Sequence, residues 1–168
     1  MGMQLIFVLE TNKKCKSDWI YIKDTIEYFY NIDANNIKFT QVYMDGKGNF
    51  KNKQKEINKN IDQYAKGASN GNSKVICCLD SDDYDINMEA IKFLNEAFKF
   101  CNDNKYELIW FCKDIERVYL RKKVVKDEKK KEAGKFKANK TIRNIDAKNL
   151  VASKYKDCLL YTSPSPRD

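Results

Sequence analysis

Histidine is missing from all 168 residues. Its absence removes the Ser-His and Cys-His pairs that activate side-chain nucleophiles, so carboxylates and lysines must carry any catalysis. Paired thiol motifs are missing too: six cysteines occur, none of them as CxxC. Cys77 and Cys78 are adjacent and face opposite sides of one strand, while Cys101 and Cys112 fall on expected core elements. Buried free thiols in a reducing compartment are therefore expected, rather than disulfides or zinc. No apolar run approaches the ~20 residues of a membrane span. The stretch Met3–Leu9 is short, lacks a basic leader and ends on Glu10, unlike a signal peptide. Together these absences predict a cytoplasmic protein with no membrane partner. No internal repeat occurs. No GKS or GKT follows the glycine-bearing segment Asp45–Asn49, which reads as a turn rather than a phosphate loop.

What is present is one domain's worth of chain. Aromatic residues make up 12% of it, and with long periodic segments they argue against disorder. Met3–Leu9 (MQLIFVL) reads as a buried strand. Ser17, as the cap, and Asp18 in the first turn mark a helix start. Trp19, Ile22, Ile26 and Phe29 then keep helical spacing to about Tyr30. Ile37–Met44 reads as a second strand, and Phe50, Ile57, Ile61 and Tyr64 form one face of a second helix. Gly67–Ser73 reads as a loop. After a third strand, Asn87 is placed to cap a helix whose buried stripe is Ile91, Leu94, Phe98 and Cys101. Tyr106–Cys112, with Trp110 in the core, is a fourth strand. It leads through Lys113 and Asp114, the latter a helix cap, into a short helix carrying Ile115, Val118 and Tyr119. Strands alternating with helices of this length predict an α/β fold: a mostly parallel central sheet with helices on both faces, spanning residues 1–120.

The third strand carries the chemistry. In Lys74–Asp85 (KVICCLDSDDYD) a continuous apolar run, as of a strand buried on both faces, ends in Asp80, Asp82, Asp83 and Asp85. Ligands of parallel sheets gather beyond the carboxyl ends of the strands. No Lys or Arg stands close by in sequence, so the Asp-x-Asp pair repels itself unless it shares a cation or a proton. A hard divalent ion, Mg²⁺ or Mn²⁺, is the usual partner; a polar loop opening a helix is the plainer alternative. Glu10 ends the first strand and points to the same sheet edge. Glu10, Asp80 and Asp82 are therefore the candidate metal-binding and catalytic residues.

A glutamate ending the first strand and an Asp-x-Asp ending a later one resemble the Toprim domain. That domain occurs in topoisomerases, primases, and the OLD and RloB-like nucleases of prokaryotic defence systems. The resemblance covers roughly Met3 to Leu120. It maps Glu10 onto the family glutamate, an acid/base group or metal ligand, and Asp80 and Asp82 onto the Asp-x-Asp. Thr11 stands where the family usually has Gly. The resemblance implies phosphodiester cleavage or transfer on DNA or RNA with Mg²⁺ or Mn²⁺, with a partner subunit or a second copy as a possible associate. VICCLDSDD also resembles the strand and DxD of GT-A glycosyltransferases, where the pair holds a metal on a nucleotide-sugar diphosphate. A non-catalytic nucleic-acid-binding module is the third reading. An EF-hand is excluded by spacing, since Asp85 falls where Gly is needed and Ile91 where Glu is needed. A receiver-type acidic pocket would have only Lys113 for its strand-end lysine.

Charge is uneven. Up to Leu120 there are 17 basic and 18 acidic residues, and from Arg121 to Arg143 there are 11 and 3. Residues 121–157 read as a basic, partly helical extension with few apolar anchors. In it Lys122, Lys123, Lys129, Lys130, Lys131, Lys135 and Lys137 are candidate nucleic-acid contacts, with Phe136 placed to stack on a base. A solvated lysine-rich face is the alternative. Ile142, Ile145, Leu150 and Val151 suggest one more packed element. Cys158–Asp168 (CLLYTSPSPRD) resembles a translated sequencing adaptor. It implies that the native chain was cut near Asp157, and residues 158–168 are set aside from the fold.

Overall fold

The computed structural model describes residues 2–46, 48–67 and 71–150. The adaptor-like tail, Val151 and the middle of the Gly67–Ser73 segment lie outside them. Four strands form an all-parallel sheet: β1 (Met3–Leu9), β2 (Ile37–Tyr43), β3 (Asn72–Asp80) and β4 (Glu107–Phe111), in the order β2-β1-β3-β4. The helices are α1 (Ser17–Phe29), α2 (Gln54–Lys66), α3 (Met88–Asp103), α4 (Ile115–Leu120) and α5 (Lys129–Ala138). The expected α/β architecture is the observed one. β3 begins at Asn72, inside the segment expected to be loop.

Strand periodicity divides the core into two layers. On one face Phe7, Leu9 and Cys78 meet α1, α4 and α5. On the other Ile6, Val8, Val75, Cys77 and Leu79 meet Ile57 of α2 and Ala97 and Cys101 of α3. Successive residues of β3 thus go to opposite cores, which is why its sequence is apolar throughout. Cys15, Cys77, Cys78 and Cys101 are free thiols, the last three buried, whereas Cys112 is disulfide-bonded, contrary to the expectation of free thiols throughout. Gln4, buried in β1, is satisfied by three partners: Nε2 donates to Asn60 O and Ser73 Oγ, and Oε1 accepts from Thr40 Oγ1.

Local signals set the helix ends. Asn87 Oδ1 accepts from the amides of Glu89 and Ala90, and Asp114 Oδ1 accepts from Arg117 N at 2.8 Å, as the cap preferences predict. Helix α1 departs from expectation. Lys16, in left-handed conformation, holds the cap position, and Ser17 lies within the helix without a capping bond. The deepest residues of α1 are Ser17, Asp18, Tyr21 and Ile22; Ile22 belongs to the expected stripe, and its other members Trp19, Ile26 and Phe29 are half-buried against the same core.

The depth of Tyr21 has its cause in α5. The basic segment is not a surface appendage: Ala133 and Phe136 are buried in the same core as β1. Phe136 is 2% exposed. Its ring packs edge-on against Tyr21, 5.0 Å between centroids, and Tyr119, 5.6 Å. Phe136 therefore has no face to offer a base, contrary to the sequence expectation. Ile142 is buried and Ile145 and Leu150 pack beside it. Among the described residues no helix is long and apolar enough to cross a membrane.

Candidate acidic site

The chain leaves β1 toward β2 and leaves β3 toward β4, so the connections diverge between these two central neighbours. Such a switch point opens a crevice beyond the carboxyl ends of the strands, where ligands of open α/β sheets bind. Glu10 follows β1 and Asp80 closes β3, both at this crevice. The Asp80 amide donates to Glu10 Oε1 at 2.9 Å, and Asp80 Oδ1 accepts from the Ile115 amide at 2.9 Å. Asp80 follows Ile76 and Cys78 in strand parity, which turns its side chain to the α1–α4–α5 face.

On that face it meets three charged groups that sequence reasoning did not assign to the site. Asp18 in the first turn of α1 is 6% exposed, and Glu116 in the first turn of α4 is 1% exposed. Lys129, the first residue of α5, brings Nζ to 3.3 Å from Glu116 Oε1. Neither Glu116 oxygen has a well-directed hydrogen bond among the described residues, so the lysine charge is its main compensation. Burial raises the Asp80 pKa well above the ordinary carboxylate value, and the charges of Glu10, Asp18 and Glu116 raise it further. Burial and Glu116 push Asp18 up to about 6. Glu116 is raised by burial against the pull of Lys129. Burial alone would lower Lys129, but Glu116, Asp80 and Asp18 outweigh it and hold the ammonium above its usual value. Glu116, Asp80 and Asp18 thus share one cation, with Glu10 set against Asp80.

The Asp-x-Asp is divided. Asp80 is 9% exposed, whereas Asp82 is exposed and lies in left-handed conformation, φ 50°. The division follows from Ser81, which extends strand pairing: its amide donates to Phe111 O, and its hydroxyl accepts from the Lys113 amide. Asp82 N then donates to Lys113 O, and the chain turns outward. Asp82 lines a groove of about 580 Å³ with Asp83, Asn87, Lys113, Arg117 and Lys123. Lys113 answers the aspartates that have no basic neighbour in sequence, at 2.6 Å from Asp85 and 3.4 Å from Asp83.

An oxygen-only donor set has the chemistry that Mg²⁺ and Mn²⁺ prefer. Its arrangement is another matter. Among the described residues no group of three or more His, Cys, Asp or Glu is placed to hold a metal ion. The structure brings Glu10 and Asp80 together, sets Asp82 on the exposed rim and fills the cluster with Lys129. As folded, the residues do not fit a metal.

The seven candidate lysines divide as well. Lys129 faces the acidic cluster, not solvent. Lys122 and Lys135 share Glu132, each at 3.0 Å, and Lys131 pairs with Glu128 at 3.5 Å. Lys123, Lys130 and Lys137 are exposed, Lys123 beside Asp82 in the groove. No protein-family model, curated protein or solved structure matches the chain.

Proposed function

We propose that this chain is a Toprim-like domain for metal-dependent processing of nucleic-acid phosphodiesters, a nuclease of a prokaryotic defence system acting with Mg²⁺ or Mn²⁺. The observation that carries the reading is the meeting of Glu10 and Asp80 at the switch point between β1 and β3. There the Glu10 carboxylate accepts from the Asp80 main-chain amide, and its charge acts on the Asp80 carboxyl inside a cluster where acid outnumbers base. A site built to bind a phosphate directly would present cations and amides instead. A crowded set of carboxylates calls for a cation or for shared protons. The adjoining groove sets Lys113, Arg117 and Lys123 among Asp82, Asp83, Glu89 and Asp114, with Arg117 paired to Asp114, so it offers a polyanion individual cations and no net positive charge.

Cleavage of supercoiled plasmid, single-stranded DNA and RNA, assayed with Mg²⁺, Mn²⁺ or EDTA, tests this. Wild type is expected to cut at least one substrate only with a divalent ion, and Asp80→Asn and Glu10→Gln to lose at least tenfold in rate. If no substrate is cut, or if Asp80→Asn cuts as well as wild type, the nuclease reading fails. Metal binding that appears only with a nucleotide-sugar would move the assignment to a glycosyltransferase. Nucleic-acid binding indifferent to Asp80→Asn would mark a non-catalytic module.

A further inference from the structure

The lysines of α2 are arranged unlike those of α5. Ile57 is buried in the core that α2 shares with β1 and β3, and Ile61 packs beside it, so the apolar face fixes the register of the helix. At about 100° per residue, Lys55, Lys59 and Lys66 then fall within about 40° of one another on the opposite side. All three are exposed. They line a groove of about 720 Å³ with Lys51, Asn and Gln side chains, and one acid, Asp62. In and around α5 carboxylates take the lysines: Glu132 holds Lys122 and Lys135, Glu128 holds Lys131, and Glu116 holds Lys129. On α2, Glu56 is held by Lys53 at 3.4 Å, and Glu96 of α3 reaches only Lys51, at 3.8 Å. Among the described residues no carboxylate pairs with Lys55, Lys59 or Lys66. Like charges four residues apart on a helix repel, yet packing holds Lys55 and Lys59 in that arrangement. A fixed row of ammonium groups with amide donors beside it complements a chain of phosphates. Among the described residues no aromatic side chain lines the groove, so unstacked bases have nothing there to stack on. The complement is the backbone of a duplex.

We propose that the face of α2 bearing Lys55, Lys59 and Lys66 is a docking surface for the phosphate backbone of double-stranded nucleic acid, bound without regard to sequence. This surface shares with the proposed function only the class of partner. It needs neither a metal nor the carboxylates at the switch point. The segment from Arg121 to Arg143, for all its net charge, is then the lesser contributor, because acids within and beside it take four of its lysines.

The test is the fluorescence anisotropy of a labelled DNA duplex of about 20 base pairs, titrated with the full chain in EDTA between about 50 and 200 mM salt. Lys55→Gln, Lys59→Gln and Lys66→Gln together should weaken binding at least about tenfold. They should also flatten the plot of log affinity against log salt by about 2.7, at about 0.9 for each lost phosphate contact. Lys126→Gln, Lys130→Gln and Lys137→Gln remove the same charge from the basic segment and should flatten it by less than about 1. Equal losses in the two triple variants would mean that binding follows total charge, and would overturn the proposal. An unchanged slope in the α2 variant overturns it too, as does a single strand of the same length bound as tightly as the duplex. Wild type that binds phosphatidylserine vesicles and no duplex also overturns it. Where the α2 variant does not fold by near-ultraviolet circular dichroism, Asp62→Asn removes the one acid of the face and must tighten duplex binding at least about threefold; unchanged affinity overturns the proposal. An α2 variant that cuts and binds duplex as wild type does overturns the docking surface and leaves the nuclease reading intact. Duplex binding through α2 by a wild type that cuts nothing upholds the surface and removes the nuclease.

Discussion

Asp18 gives the cluster its most direct thermodynamic test, because its neighbours oppose its ionisation more than they assist it. Burial first, then the Glu116 charge, raise its pKa from 3.8 to about 6, while Lys129 and the Thr11 amide pull in the other direction without prevailing. In the unfolded chain the same carboxyl ionises near 3.8. Between these two values the folded protein keeps a proton that the unfolded chain has released, so rising pH favours unfolding. The favourable contribution is present in full below about pH 4 and is lost as the pH passes through about 6. At about 1.4 kcal/mol for each pH unit separating the two pKa values, the loss is about 3 kcal/mol. That is a substantial share of an ordinary domain stability of about 5–15 kcal/mol.

Urea unfolding from pH 4 to 7.5 in EDTA, for wild type and Asp18→Asn, measures it. Asn has nearly the same shape and never ionises. Wild type should lose stability across the window, and the variant should lose about 3 kcal/mol less. Its advantage should therefore grow with pH. Asp80 is raised partly by Asp18, so its relief in the variant acts in the same direction. A stability difference that stays constant with pH, or turns toward wild type as pH rises, refutes the reasoning.

Replacing buried Gln4 by Leu strands Asn60 O, Ser73 Oγ and Thr40 Oγ1 and should cost about 2–3 kcal/mol in urea unfolding; a neutral result would mean that water replaces the side chain. Asn87→Ala removes the cap of α3 and should cost about 1 kcal/mol, with hydrogen exchange rising first at the Glu89 and Ala90 amides. Phe136→Ala should cost about 3–5 kcal/mol, whereas Lys130→Ala on the exposed side of α5 should stay within about 0.5 kcal/mol.

The strands and caps were legible because their signals are short in range. The run VICCL needs only its two cores to explain it, and Asn87 and Asp114 bond to amides two or three residues on. The strand order was not legible, since right-handed crossovers permit several orders from one alternation of elements. That Glu10 and Asp80 stand side by side follows only from β1 lying next to β3. Asp18 escaped notice because a helix start explains an aspartate without further cause. Its burial comes from α4 and α5, about a hundred residues along the chain. Lys129 was hidden among lysines that look alike in sequence, and only the register of α5 singles it out. Phe136 misled for the converse reason: a lone aromatic has no periodic partners in its own helix, and its partners Tyr21 and Tyr119 belong to two others.

The position of α5 bears on where the domain ends. A boundary after Leu120 follows the change in charge and the fading of periodicity, and it separates a nearly neutral body from a strongly basic extension. Packing joins what composition divides. Without α5, Tyr21 and Tyr119 lose Phe136, an aromatic whose removal alone costs about 3–5 kcal/mol. Glu116, 1% exposed, loses the Lys129 charge, and stranding a buried ion in this way costs about 3–5 kcal/mol more. The two losses together approach or exceed the stability of an ordinary domain, about 5–15 kcal/mol. A chain ending at Leu120 should therefore lack a dispersed amide spectrum and a cooperative urea transition, while one ending at Leu150 should show both. A fragment of residues 1–120 that unfolds cooperatively with native near-ultraviolet dichroism would place the boundary back at Leu120 and reduce α5 to an accessory. Failure of that fragment, with rescue by residues 121–150, would make the basic segment part of the body that holds the acidic site.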